Sequence, residues 1–335
     1  TVNLSQKHCS IMKLTLVTMT NYNTEKIIPE EQAGKRLDVV LANIFPEFSR
    51  SRLKNWIIDG FILVDGKVLR PRDFVTGGEL VSIDVIVDES VENEAESIKF
   101  NIEYEDDEII VINKPVGLVV HPGAGNPNGT LLNGLIHQWP KLREVPRAGI
   151  IHRLDKDTSG LMIIAKNIQA HNHLVQQLSN REISREYEAI CCGVLTGGGV
   201  IDKPIGRHHK NRTKMAVRED GKRAITNYRV IKRFRAHTHI KVNLETGRTH
   251  QIRVHFAFKK NALLGDPTYA RLKIPSGCTE ILESKIRSFR RQALCATKLE
   301  LCHPRTSKKI IIKTDIASDF IDLLDALKKD NMNNE

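Results

Sequence analysis

Cysteine is scarce in this chain and cannot build a framework. Six cysteines, at positions 9, 191, 192, 278, 295 and 302, are spread over 335 residues, too few and too scattered for a disulfide-stapled fold. No C-x-x-C or H-E-x-x-H pair exists, so the close histidine pairs 171/173, 208/209 and 237/239 lack the partners that complete a zinc site. They read as surface or phosphate-facing histidines, and neither a metal nor a cofactor is expected. Long apolar runs are missing too. None approaches the ~20 residues a membrane span needs, which points to a soluble protein in a reducing cytoplasm. A glycine-rich nucleotide-binding loop and internal repeats are also absent.

What the chain has is positive charge. Lysine and arginine number 51 against 40 aspartate and glutamate, a net charge of +11 with a pI near 9.3. Such a field attracts polyanions and speeds encounter with them. The hydrophobic content, 40%, suffices for a buried core, and the length suits about two domains.

The pattern along the chain predicts an α+β protein in two parts. Residues 1–33 read as an N-terminal extension and 34–87 as a small module. Within it, Leu37, Val40, Leu41 and Ile44 recur at helical spacing before Pro46. Ser49 or Ser51 caps a second helix carrying Leu53, Trp56 and Ile57, and Asp65-Gly66 makes a hairpin turn between 61–64 and 67–69. A further strand covers about 79–87. Residues 88–97, acidic and poor in apolar side chains, form a linker. Residues 98–327 then form a larger mixed, mainly antiparallel sheet with flanking helices, and 328–335 form a frayed tail.

The charge is concentrated. Between Arg207 and Arg235 eleven lysines and arginines, Arg212 and Lys214 among them, stand against only Glu219 and Asp220. Apolar residues interrupt the run, so it reads as basic strands and a loop suited to a phosphate backbone; a charged edge that discourages sheet pairing is the competing view. Arg50, Arg52 and Lys54 make a second, smaller group on the first module, with Arg50 and Lys54 on one helix face.

The densest functional-looking stretch is His152-Arg153-Leu154-Asp155-Lys156-Asp157-Thr158-Ser159-Gly160. It presents carboxylates beside cations, ahead of the apolar strand Leu161–Ala165. Asp155 could serve as nucleophile or base, or simply cap that strand. The chemistry of the segment leaves both open.

Resemblance adds what the chemistry does not. Gly149 through Gly160 resembles the signature of the RluA-type large-subunit rRNA pseudouridine synthases. Asn113-Lys114-Pro115-Val116-Gly117 with Val120-His121-Pro122-Gly123 resembles their first motif and Arg185-Glu186-Tyr187 their second. Gly247-Arg248-Thr249-His250-Gln251-Ile252-Arg253-Val254-His255 resembles the third, and Gly265-Asp266-Pro267 follows in the expected place. Residues 34–68 are similar to an S4-type RNA-binding domain. The resemblance implies a cofactor-free isomerisation of uridine in 23S rRNA, free or in a pre-50S particle. Detailed matches within the family point to the helix 69 stem-loop. Asp155 would be the nucleophile, Arg253 its partner, and Tyr187 the residue that packs on the base and aids proton transfer. The target base must be flipped out to be reached; Arg153 would fill the vacated space or hold phosphate, and Lys114 would line the same cleft. Arg248 joins the RNA-binding candidates. The expected state is a monomer with no membrane partner.

Two positions depart from the family pattern: Cys295, where histidine is common, and Asn261-Ala262, where His-Pro is frequent. The rival readings are a non-catalytic RNA-binding ribosome-assembly factor and a metal-dependent RNA hydrolase using Asp155 and Asp157.

Overall fold

The computed structural model describes residues 19–46, 48, 50–88, 94–123, 125–211 and 213–332. The chain divides into two compact units, 1–92 and 93–335. In the first, strand β1 (Met19–Ile27) is followed by helices α1 (Leu37–Ile44) and α2 (Arg50–Ile58) and strands β2 (Ile62–Val64) and β3 (Leu80–Asp88). The helices lay Leu37, Val40, Leu41, Leu53 and Ile57 against Ile62, Val81 and Ile83, all buried. Two details correct the sequence picture. The unit begins before residue 34, because β1 pairs with β3 along its whole length, Met19 opposite Asp88 and Ile27 opposite Leu80. The hairpin is also shorter than expected. Asp65 and Gly66 do adopt the left-handed conformations (φ 48° and 73°) of a primed turn, but the return arm is one bridge, Val64 to Lys67, and β2 pairs instead with β3. Ser49 lies outside the described residues; Ser51 lies inside α2.

The second unit is built on a nine-stranded sheet. Its strands are β4 (Asn101–Glu105), β5 (Ile109–Lys114), β6 (Ser159–Ala165), β7 (Ser184–Cys192), β8 (Gly199–Asp202), β11 (Ile225–Arg233), β12 (His237–Leu244), β13 (Leu294–Cys302) and β14 (Lys309–Lys313). The order is β4-β5-β6-β13-β7-β12-β11-β8, with β14 also paired to β13. Only β6 and β13 run parallel; every other pair is antiparallel. The mixed, mainly antiparallel sheet is therefore as expected. A separate two-stranded ribbon, β9 (Ile205–Arg207) with β10 (Met215–Val217), carries the basic loop at its tip.

Both faces of the central strands are covered, which is why their sequences are continuously apolar rather than alternating. Ile110, Ile112, Met162 and Ile164 face one core with helices α3 (Leu131–Gln138) and α5 (Gln251–Phe258). Ile109, Val111, Leu161 and Ile163 face the other with α4 (Ile168–Ser179). A third cluster packs α6 (Glu280–Ser288) on α7 (Ser318–Met332). Among the described residues no helix is long and apolar enough to cross a membrane.

Two boundaries here differ from expectation, and so does the placing of two histidines. The linker's last residues are docked: Asn133 Nδ2 donates to the Glu94 carbonyl (2.8 Å) and the Gly129 N–H to the Glu96 carboxylate (2.8 Å). The tail expected to fray from 328 continues α7 to Met332, where buried Asp330 accepts from the Thr279 N–H (2.6 Å) and pairs with Arg235 (3.3 Å). Residues 333–335 and 89–93 are outside the described set. The histidines of β12 are not on the surface: His237 is buried, which lowers its pKa to about 4, and buried His239 bonds Glu188 (2.7 Å).

Two glycines pin the loop that leads into β6. A Cβ at Gly149 (φ 74°) would lie 1.9 Å from the Ala165 carbonyl oxygen, and one at Gly160 (φ 115°) 2.2 Å from that of Ala296. Only glycine combines that conformation with so close a backbone approach. The segment between them is thereby held at the end of the one parallel strand pair, and it contains Asp155.

Candidate active site

Asp155, Arg253 and Tyr187 come from distant parts of the sequence and meet in one open cleft of about 560 Å³. Asp155 lies on the glycine-pinned loop, Tyr187 on β7 and Arg253 on α5. The arginine is the hub. Its Nη1 donates to Asp155 Oδ2 (2.8 Å), while Nε and Nη2 make a two-pronged pair with Asp266 (2.7 and 2.9 Å). The Asp266 side chain is 0% exposed, and its Oδ1 also accepts the Thr268 and Tyr269 N–H groups (2.8 and 3.1 Å). Burial alone would lower the pKa of Arg253; Asp266 and then Asp155 more than offset it and raise the value. A fixed cation is thus aimed at one oxygen of Asp155.

The other oxygen faces His250. Its Nε2 lies 3.8 Å from Asp155 Oδ1, and Nδ1 lies 2.8 Å from the Tyr269 hydroxyl. That hydroxyl also accepts the Met215 N–H (2.8 Å), so the tyrosine ties the imidazole to the start of β10. Burial lowers the His250 pKa, against the opposing pull of Asp155. The residue adopts a left-handed φ of 56° at the start of α5. Gln251 supports that bend: its Oε1 accepts from Thr246 Oγ1 (2.8 Å) and the Arg248 N–H (3.0 Å), and its Nε2 donates to the Ile225 carbonyl (2.9 Å).

Tyr187 is buried on the cleft wall. Burial raises its phenol pKa and Asp155 adds to the rise, against the opposing charge of Arg185. His152 is partly buried, its pKa pushed down to about 3 by burial and then by Arg185; its Nε2 accepts the Ile163 N–H (3.2 Å), a structural role. Asp157 lines no part of the cleft, and its carbonyl lies 3.5 Å from Arg291 Nη1.

The remaining sequence candidates separate into groups. Arg153 and Arg248 are exposed and line the cleft, with Arg248 Nε donating to the Arg223 carbonyl (3.2 Å). Lys214 Nζ is bound to the Thr268 carbonyl (3.0 Å), beside the Asp266 turn. Arg212 lies outside the described residues. On the first unit, Arg50 is half exposed and ion-paired with Asp38 (2.7 Å), which Arg36 also holds (2.8 Å). Arg52 lies over the rings of Phe48 and Trp56 (5.9 and 5.4 Å to the centroids), and Lys54 is exposed.

Lys114 is corrected. It is 0% exposed and is not on the cleft wall. Its Nζ donates to the carbonyls of Pro115 (2.8 Å), Leu118 (2.9 Å) and Lys156 (2.9 Å). Burial lowers its pKa to about 7, while Asp157 and Asp155 pull it up. Three carbonyl acceptors use all three ammonium protons, so no donor is left for phosphate; the lysine ties the loop before Asp157 to the end of β5. Lys114→Met is expected to lower stability by about 3 kcal/mol or more, since it strands three carbonyls, while RNA affinity holds within several-fold. Thermal unfolding and filter binding measure the two. Lost affinity at unchanged stability would restore the phosphate role.

His250, Asp266 and Tyr269 were not among the sequence candidates. Asp266 and His250 lay within quoted motifs, but their roles depend on which side chains they face. The two departures sit away from the cleft. Cys295 is buried in β13 opposite Ser159, and Asn261 Nδ2 donates to the Cys192 carbonyl (2.9 Å).

The site is thus a carboxylate fixed by arginine beside a buried tyrosine, in a mixed sheet that follows a small helical module in the chain. Residues 108–258 match the RNA pseudouridylate synthase family and residues 35–81 the S4 domain; the chain belongs to that synthase family. Among its relatives are proteins named ribosomal large subunit pseudouridine synthase D. That of Xanthomonas campestris pv. campestris is 50% identical over 308 residues, 92% of this chain and 93% of that protein. That of Escherichia coli (strain K12) is 50% identical over 305 residues, 90% and 94% respectively. Of solved structures, human RNA pseudouridylate synthase domain containing 4 aligns with a TM-score of 0.54 at 25% identity, over 68% of this chain and 93% of that one. Human RNA pseudouridylate synthase domain containing 1 shares the fold, with a TM-score of 0.52 at 21% identity over 67% and 86%.

Proposed function

We propose that this enzyme converts uridine to pseudouridine in large-subunit (23S) rRNA, with the helix 69 stem-loop as target, in free rRNA or a pre-50S particle. The observation that carries the chemistry is the Asp155–Arg253–Asp266 chain beside Tyr187. The names of its relatives support the rRNA assignment. The reaction is a balanced rearrangement: the N1–C1′ bond breaks, a C5–C1′ bond forms, the C5 proton leaves and N1 gains one. Asp155 is the nucleophile, Arg253 fixes its charge, and Tyr187 packs on the base and aids removal of the C5 proton.

Extrusion of the uridine costs a few kcal/mol, less in a loop. Arg153, exposed at the cleft, takes the place the base leaves. The basic ribbon β9–β10, Lys214 and Arg248 grip the backbone near the cleft, and Arg50, Arg52 and Lys54 serve the S4 module's own RNA contact. The enzyme works as a monomer in the cytoplasm. Pseudouridine mapping of 23S rRNA from cells with and without the gene tests the target. Sites in helix 69 should vanish without it and return when it is restored; an unchanged map would reject the rRNA assignment.

A further inference from the structure

Arg185 is charged, buried and unmatched. It is 7% exposed, lines the cleft and sits two residues before Tyr187 on β7, so both side chains leave the same face of the strand. A guanidinium keeps its charge in proteins, and one taken out of water is ordinarily paired. Among the described residues the other two buried arginines follow that rule. Arg253 holds Asp266 and Asp155, and Arg291 holds Asp319 through two bonds of 2.7 Å.

Arg185 has no such partner. Among the described residues no carboxylate pairs with it and no acceptor takes its protons, and its Nε is sealed from solvent without a hydrogen bond. The fold nevertheless makes room for it. A Cβ at Gly247 would lie 2.8 Å from Arg185 Nη1, so the guanidinium rests against the first residue of the third motif. The charge acts on its surroundings, opposing the rise in Tyr187's pKa and adding to the fall in that of His152.

A buried cation without a partner, at the wall of a cleft that receives a polyanion, awaits an anion. Two residues along a strand span about 6–7 Å, comparable to the reach from a nucleotide's base to its own phosphate. We propose that Arg185 clamps the phosphodiester attached to the extruded uridine, while Tyr187 beside it packs on the base. The clamp rests on the uridine-isomerising role proposed for the cleft and adds a recognition element to it. It differs from backbone contacts on the basic ribbon in being buried, so it engages only a nucleotide that has already left the stack.

The test replaces the phosphate rather than only the protein. A single neutral methylphosphonate is placed by splinted ligation on the 5′ or the 3′ side of the mapped uridine in an otherwise unmodified 23S transcript. Single-turnover pseudouridine formation is then measured with the full-length enzyme and with Arg185→Gln. At one of the two linkages the unaltered enzyme should lose ~10- to 100-fold in kcat/KM, as expected for one or two charge-assisted hydrogen bonds. Arg185→Gln should lose a similar factor on unmodified RNA and no further factor on the methylphosphonate RNA. Losses that multiply would mean Arg185 acts elsewhere, for instance on charge developing on the uracil oxygens, and would overturn the clamp. So would full activity of the unaltered enzyme on both neutral linkages, a result that stands even if the glutamine variant fails to fold. Turnover of unmodified RNA by the unaltered enzyme tests the isomerase role separately: its absence removes that role, whereas turnover indifferent to the methylphosphonate removes only the clamp.

Discussion

Asp155→Asn is expected to lower pseudouridine formation by about 10⁴-fold or more, because the amide keeps the shape of the side chain but is not a nucleophile. Arg253 Nη1 still finds an oxygen on the asparagine, so the loop between Gly149 and Gly160 keeps its position. RNA affinity should stay within several-fold, since removing one negative charge from a basic cleft costs no phosphate contact. Single-turnover formation and filter binding on the same preparation separate the two effects. Residual turnover of a few per cent in the purified variant would take the nucleophile's role away from Asp155.

Asp266→Asn is expected to damage both catalysis and stability. The carboxylate is buried and accepts four hydrogen bonds, two from Arg253 and two from the backbone of Thr268 and Tyr269. An asparagine must turn its amide protons toward one of these donors. Breaking a buried pair in this way costs roughly 3–5 kcal/mol, which for a unit of this size is about 6–20 °C in Tm. Arg253 loses its anchor and with it the aim at Asp155, so kcat should fall about 10²- to 10³-fold with a smaller change in KM. If kcat and Tm both stay at their original values, the buried carboxylate does not position the arginine.

Much of this site was visible in the sequence, and the reason differs from residue to residue. Asp155, Tyr187 and Arg253 stood in ordered motifs, although the local chemistry of Asp155 could not tell a nucleophile from a polar turn. Lys114 misled because a lysine in a motif looks like a phosphate contact; three carbonyls that the sequence does not bring together claim its protons. His250 matters through Tyr269 and Met215, neither of which is near it in the chain. What marks Arg185 is a missing partner, and that is visible only once every neighbour is placed. The fold shows the same division. Strands with continuous apolar sequence were legible. Helix α3 was not, because Gly134 lowers helix propensity by about 1 kcal/mol relative to alanine; a Cβ there would come within 2.9 Å of Ile98. β1 was read as extension because nothing in residues 19–27 reveals that β3 lies beside them.

Release of tritium from 5-tritiated uridine tests the central claim most directly. Purified enzyme is incubated with a 23S transcript labelled at C5, and the solvent label, the pseudouridine content and the RNA length are followed together. One C5 hydrogen should reach solvent for each pseudouridine formed, with the RNA intact and the process lost in Asp155→Asn. No release by the unaltered enzyme, or release accompanied by strand cleavage, would contradict an isomerase centred on Asp155.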